Sequence, residues 1–239
     1  MISFVFNEIF YKPLLNILIF FTDILPGNSL GLSIILITIL VRFIIFPFTH
    51  KMMRTQSALK DLEPQIKKIK EDNKGKKEEE AKALMDLYKQ HGISPFSGFF
   101  MLLIQLPLLI SLYKIFMNNV ALNLPEGLYS FVHYPPAVNG IFLGIDLSVP
   151  NVALAALAGV SQFFQARLAS GKSKKEKNKK GPQDFQSIMK TQMVFVFPVM
   201  IFFIGLKFSA ALALYWTVMN LFAIVHETIV KKRFQQTRK

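Results

Sequence analysis

One stretch dictates much of what this chain can become: Ser29 to Thr49, SLGLSIILITILVRFIIFPFT. It is apolar and reaches the roughly 20 residues that a helix needs to cross a bilayer, yet it carries a full positive charge at Arg42. Apolar residues resume at Phe43, Ile44, Ile45, Phe46 and Phe48, so the charge lies within the span. At roughly 1.5 Å per residue, Arg42 sits about 18 Å from the Leu30 end. A cation there costs about 2.5–3.5 kcal/mol on insertion scales. Two arrangements meet that cost. The arginine snorkels to the helix edge near His50 and Lys51, or it faces a watered cavity between helices.

A mean hydropathy of +0.38 and 24 phenylalanines in 239 residues mark an integral membrane protein. A formal net charge of +13 would suggest nucleic acid if it were spread over a soluble fold. Here the basic residues gather in three hydrophilic segments between or after apolar ones, so topology explains them and no specific nucleic-acid site is expected. The absence of cysteine removes disulfides, thiol nucleophiles, cysteine zinc sites and a lipid-modified N-terminal cysteine. Met1–Phe10 has no basic n-region, so an ordinary cleavable signal peptide is not expected.

Taken in order, residues 1–28 are apolar but interrupted at Glu8, Lys12, Asn16 and Asp23. The first three form one polar stripe at i, i+4, i+8, which favours an extracytoplasmic interfacial helix over a spanning one. The first span is placed at 29–50. Residues 51–94 are dense in charge, with 3-4 spacing of Leu59, Leu62, Ile66 and Ile69 and again of Ala81, Leu84, Met85 and Tyr88. With a turn at Asn73-Lys74-Gly75 and an i,i+4 pair at Glu78 and Lys82, they read as a helical hairpin in water. A solvated charged loop is the plainer alternative. Further spans are placed at 95–117, 151–167, 191–207 and 208–228. They are separated by an outer loop, 118–150, and a basic loop, 168–190, and followed by a basic tail, 229–239. Residues 118–150 contain no lysine or arginine, and the first 28 contain only Lys12. The positive-inside rule therefore puts the N-terminus outside and the C-terminus inside. The expected architecture is all-α, with five transmembrane helices.

Enzymatic signatures are missing. Gly171-Lys172-Ser173 resembles the end of a phosphate loop, but position 166 is alanine and no strand precedes it. The histidines at 50, 91, 133 and 226 form no H-E-x-x-H, and there is no G-x-S-x-G elbow. No metal and no cofactor are expected. The expected spans hold no aspartate or glutamate in their interiors, so Arg42 has no acidic partner at membrane depth within its own sequence. Its polar company is sought in Thr38, one turn earlier, and in Gln105, Gln162, Gln165 and Asn220 on other spans. Polar residues on several helices favour a shared hydrophilic pocket over a topology marker.

These residues resemble a known family. Thr38-x-x-x-Arg42 followed by Pro47, the charged hairpin, and Ser94-Pro95 leading into Leu103-Ile104-Gln105-Leu106-Pro107 are similar to the YidC insertases, with their mitochondrial Oxa and chloroplast Albino relatives. So are Met193 to Pro198 and Leu214-Tyr215-Trp216-x-x-x-Asn220-Leu221. The resemblance implies five helices around a hydrophilic groove that opens to the cytoplasm and to lipid but is closed outside. It carries the groove arginine onto Arg42, the threonine onto Thr38, the polar position of the third span onto Gln162, and the aromatic one of the last onto Trp216, with Tyr215 beside it. It also implies a multi-pass protein of the bacterial cytoplasmic membrane. The substrates would be nascent membrane proteins with short polar or acidic tails. A Sec-type translocon and the ribosome are further candidate partners, beside membrane lipid. Phe208-Ser209-Ala210 departs from the family's proline-serine-glycine turn. No large extracytoplasmic domain is expected before the first span, and no long ribosome-binding tail. Two other classes compete with an insertase: a transporter that uses the pocket for a small anion, and a scaffold whose basic segments hold anionic lipid.

Overall fold

The computed structural model describes residues 2–93, 97–118, 125–170 and 192–236. The basic loop beyond Ser170, the Ser94-Pro95 pair and the last three residues lie outside them. Helix dominates, in the order α1 (Ile2–Phe6), a π segment (Asn7–Tyr11), α2 (Lys12–Ile24), α3 (Leu30–Asp61), α4 (Glu63–Asp72), α5 (Lys77–Gln90), α6 (Ser97–Met117), a two-stranded antiparallel hairpin β1–β2 (Ile141–Phe142 and Ile145–Asp146), α7 (Val152–Ser170), a second π segment (Gln192–Val196), α8 (Phe197–Gly205) and α9 (Ala210–Gln236). The chain packs as two compact units, Met1–Phe43 with Leu108–Lys239, and Ile44–Pro107.

Among the described residues, four helical stretches are long and apolar enough to cross a membrane: Phe4–Ile24, Leu30–Met53, Val152–Ser170 and Ala210–Val230. Gln105–Met117 and Gln192–Gly205 are shorter apolar helices. This set adds the N-terminal stretch to the expected spans; the two shorter helices fall inside the second and fourth expected spans, 95–117 and 191–207, and α6 as a whole runs Ser97–Met117.

The N-terminal stretch has uses for its polar stripe that the sequence alone does not disclose. Lys12 pairs with Glu8. The Asn16 amide donates to the Gly127 carbonyl (3.0 Å) and its oxygen accepts from the Tyr129 N–H (2.7 Å), so the stripe is covered by the loop after α6. Leu14, Leu15, Leu18 and Ile19 are buried. At one end the Thr22 hydroxyl donates to Ser33 of α3 (3.0 Å). At the other, Asn118 donates to the Tyr11 hydroxyl (3.3 Å) and the Lys114 ammonium lies over the Phe6 ring. The N-terminal stretch thus meets both the start of α3 and the end of α6.

The same end is tied together by the loop carrying β1–β2. The Leu30 N–H donates to the Asn139 carbonyl, and the Asn139 N–H to the Asn28 carbonyl, both at 3.0 Å. The first turn of α9 is held by bonds from Ala210 to the Val149 carbonyl (2.9 Å) and from Ala211 to the Leu147 carbonyl (3.0 Å). The Ser148 hydroxyl and N–H both donate to Asp146, holding its carboxyl below the usual carboxylate range. The β1–β2 turn places Leu143 at φ +52 and Gly144 at φ +78. A side chain in that left-handed region costs roughly 1–2 kcal/mol.

Helices α7, α8 and α9 pack through small residues. Ala155, Ala158 and Gly159 give α7 a face that neighbouring backbone approaches closely, the general device of helices packed in membranes. A Cβ on Gly159 would stand 3.1 Å from the Pro198 carbonyl, and one on Gly205 2.8 Å from the Ala155 Cβ.

The second unit has its own core. Leu62, Ile66, Leu87, Tyr88 and Ile93 are buried, with Ala58, Leu59, Ile69 and Leu84 packed around them. The first run with 3-4 spacing lies wholly in this core; of the second run Leu84 and Tyr88 join it, Ala81 and Met85 are exposed, and Leu87 takes the buried place beside Tyr88. The Glu78–Lys82 pair does not form. Lys76, extended by the turn at Gly75, instead reaches Glu79 at 3.1 Å. Position 50 is likewise not a helix end: α3 runs on to Asp61, because 50–61 contains neither glycine nor proline. Each helix that passes between the units carries a proline beside the junction, Pro47 in α3 and Pro107 in α6. Each proline removes one helical hydrogen bond, to the carbonyl four residues earlier. For α3 that carbonyl belongs to Phe43, where the first unit ends.

Gly31, in the first turn of α3, is required by a close approach. A Cβ there would lie 2.3 Å from the Phe142 ring and 2.6 Å from the Phe142 Cβ. Gly31→Ala should destabilise the protein by about 1–3 kcal/mol, read as a lower Tm in detergent, and Phe142→Ala in the same chain should recover part of the loss.

Candidate functional site

The α3 face that carries Arg42 also carries Thr38, because i and i+4 lie one above the other on a helix. Thr38 is fully buried and its hydroxyl donates to the Ile34 carbonyl (2.6 Å). Threonine can thus stand in an apolar helix without an orphaned proton, leaving its oxygen lone pairs to face its neighbours. Arg42 is half-buried. Among the described residues it makes no salt bridge and no hydrogen bond. Tyr215 of α9 lies within electrostatic range of its guanidinium.

Helix α9 presents two functional faces. Tyr215, Met219 and Phe222 share the side turned to α3, where the rings of Phe222 and Phe43 meet edge to face at 5.5 Å. Trp216 and Asn220 share another side, about 100° further round. Asn220 is buried and donates to the Ser161 hydroxyl of α7 (3.1 Å), which in turn donates to the Ala158 carbonyl (3.0 Å). Tyr215 and Trp216, adjacent in sequence, therefore serve different neighbours: Tyr215 goes with Arg42, and Trp216 rides on the α7 side. Next to Ser161 on α7, Gln162 is buried and donates weakly to Gln165 (3.4 Å). Thr217, buried on α9, satisfies its own helix through the Ala213 carbonyl (2.8 Å).

Of the expected site residues, Thr38, Arg42, Gln162, Tyr215 and Trp216 belong to the first unit. Gln105 lies in the second, half-buried on α6. The sequence reading missed Ser161, a small polar residue whose helical position alone does not separate it from the alanines around it. Its spacing of three from Ala158 and its place on the buried side of α7 are the signals that point to it. No group of histidine, aspartate and glutamate that could hold a metal occurs among the described residues.

Comparison with known proteins now bears on these residues. The model of the family described as "60Kd inner membrane protein" matches residues 20–237. The chain belongs to the YidC insertase family. It is 33% identical over 223 residues to the membrane protein insertase MisCA of Bacillus subtilis, covering 91% of this chain and 76% of that protein. It is 32% identical to the membrane protein insertase YidC of Campylobacter jejuni, covering 93% of this chain but 38% of that protein. For the Francisella tularensis subsp. novicida YidC the identity is 31%, over 34% of that protein. A crystal structure of an active YidC insertase with its first transmembrane domain resolved matches with a TM-score of 0.56 at 21% identity, over 92% of this chain and 45% of that one. The chain thus spans three quarters of the Bacillus relative and well under half of the YidC proteins. With the apolar helices described above, this makes it a multi-pass membrane protein of bacterial type.

Membership also gives Phe208 a setting. Where the family's short turn has proline, Phe208 packs its ring against Tyr113 of α6, edge to face at 5.2 Å.

The Asn220–Ser161 bond is the polar tie between α7 and α9. Asn220→Ala should lower stability by about 0.5–2 kcal/mol. A double-mutant cycle with Ser161→Ala, read by thermal unfolding in detergent, should show coupling of the same sign. Additive losses would assign the two residues independent roles.

Proposed function

We propose that this chain is a membrane protein insertase, in which Arg42 and its polar neighbours receive a short polar or acidic tail of a nascent membrane protein. The observation that carries this reading is the half-buried guanidinium on an apolar helix, left without a salt bridge or hydrogen bond among the described residues and facing Tyr215. A cation that lacks a permanent partner remains available to a passing one. A polar tail entering lipid meets a desolvation barrier, and water, hydroxyls and a positive charge at membrane depth lower it. Thr38, Tyr215 and the glutamines supply hydrogen-bonding capacity, and Trp216 an amphipathic surface on the α7 side. The incoming apolar helix then leaves sideways into lipid along α7 and α9, driven by transfer of its own surface at about 25 cal/mol per Å². No bond is made or broken in the substrate, and no nucleotide is consumed.

In this reading the groove opens to the cytoplasm, the hairpin 51–94 lies on that side and receives substrates, and the N-terminal helix lies along the opposite interface. Five helices span the bacterial inner membrane with the N-terminus outside, as the distribution of lysine and arginine requires. Help in folding the inserted helices is part of the same activity. A Sec-type translocon or a ribosome that delivers substrates would meet the cytoplasmic face.

The test is insertion of a single-span substrate with an acidic N-tail into proteoliposomes. Arg42→Ala should slow insertion roughly tenfold, the equivalent of about 1.4 kcal/mol for one charge-assisted contact. Arg42→Lys should retain most activity, and a substrate with a neutral tail should lose less with either variant. Full activity of Arg42→Ala on every substrate would remove the electrostatic role.

A further inference from the structure

The insertase reading makes no use of the β1–β2 hairpin. We propose that its tip, Ile141 with Leu143, is a lipid anchor that sits in the bilayer boundary at the Leu30 end of the bundle. The depth of the tip follows from its ties. The Phe142 ring packs onto Gly31, and Asn139 is hydrogen-bonded through its backbone to both Asn28 and Leu30. The hairpin is thereby held level with the first turn of a stretch long and apolar enough to cross a membrane, Leu30–Met53, and the proposal sets the hydrocarbon boundary at that level.

Side chains alternate across a strand. With Phe142 turned to α3, its strand neighbour Ile141 is turned away from it, and Leu143 follows in the turn; the two are 60% and 86% exposed. No aspartate, glutamate, lysine or arginine occurs from Gly127 to Ile145. An uncharged stretch that presents isoleucine and leucine at the edge of hydrocarbon gains transfer free energy from lipid that it would forgo in water. Backbone conformation points the same way. Both central residues of the turn have positive φ, a geometry that Asn-Gly fills without strain. Leucine occupies the first of the two positions in spite of that strain, and its side chain contributes nothing to the core. Strain retained for an exposed apolar side chain is what a contact outside the chain explains.

Because the sequence has no cysteine, Ile141→Cys places a single NBD fluorophore on the tip of the full chain in phosphatidylethanolamine–phosphatidylglycerol vesicles. The label should be quenched by lipids spin-labelled near the headgroup and shielded from aqueous iodide. The same label at Lys76→Cys, in the turn of the charged hairpin, should behave in the opposite way. Adding Leu143→Asn to the protein labelled at 141 should reduce lipid quenching several-fold. It should leave thermal stability in detergent unchanged or higher, because asparagine accepts positive φ. Iodide access at 141 equal to that at 76 would overturn the proposal. So would lipid quenching indifferent to Leu143→Asn. Protection from both quenchers would put a protein surface on the tip instead, and would also overturn it.

Discussion

The guanidinium of Arg42 is the constraint around which the first unit is arranged. An apolar helix that carries a full charge about 18 Å from one end cannot be lipid-facing all round. The chain meets this by putting Thr38 one turn away on the same face and the phenol of Tyr215 across from it on α9. Neither neutralises the charge. A carboxylate at that depth would form a permanent pair, and truncating one partner of a buried pair costs more than the pair contributes. Hydroxyls leave the cation without a permanent charge partner, which is the property the proposed role with a transient anionic guest requires.

That arrangement depends on close helix packing elsewhere. In lipid the hydrophobic effect does not drive helices together, so backbone approach and polar contacts must hold them. The small face of α7 lets Pro198 and Phe202 of α8 come within contact of Gly159, and the Asn220–Ser161 bond ties α7 to α9. The two faces of α9 divide the labour. One side is committed to structure through Asn220. The other, with Tyr215, Met219 and Phe222, turns to α3 and the cation. A rotation of α9 by one residue would exchange these roles, so the interhelical hydrogen bond also fixes what Arg42 faces.

Much of this was legible in the sequence, and the limits have physical causes. Hydrophobic periodicity marked α4 and α5, whose shared core keeps the 3-4 spacing of Leu59, Leu62, Ile66 and Ile69 and, from the second run, Leu84 and Tyr88, while Leu87 was not among the expected residues. The family motifs singled out Thr38, Arg42 and Tyr215, and the fold brings Tyr215 within electrostatic range of Arg42. Two features escaped. The polar stripe of α2 suggested headgroups, but Asn16 is used by the Gly127–Tyr129 backbone, a contact more than a hundred residues away that no local pattern encodes. Ser161 was passed over because a serine among alanines reads as a packing residue until its partner on α9 is known.

The prolines complete the argument. Pro47 and Pro107 each delete one backbone hydrogen bond, which in lipid must be compensated by neighbouring groups or water. In α3 the affected carbonyl is that of Phe43, next to Arg42 in the chain. A carbonyl without its helical donor and a guanidinium without a permanent acceptor therefore stand side by side on one backbone. Both are best served by water at that level. Two neighbouring polar groups that favour hydration at the same depth make a wet pocket there self-consistent, where either alone would be an isolated cost. The proline four residues after Phe43 thus supports the arginine's environment as directly as any side chain that faces it.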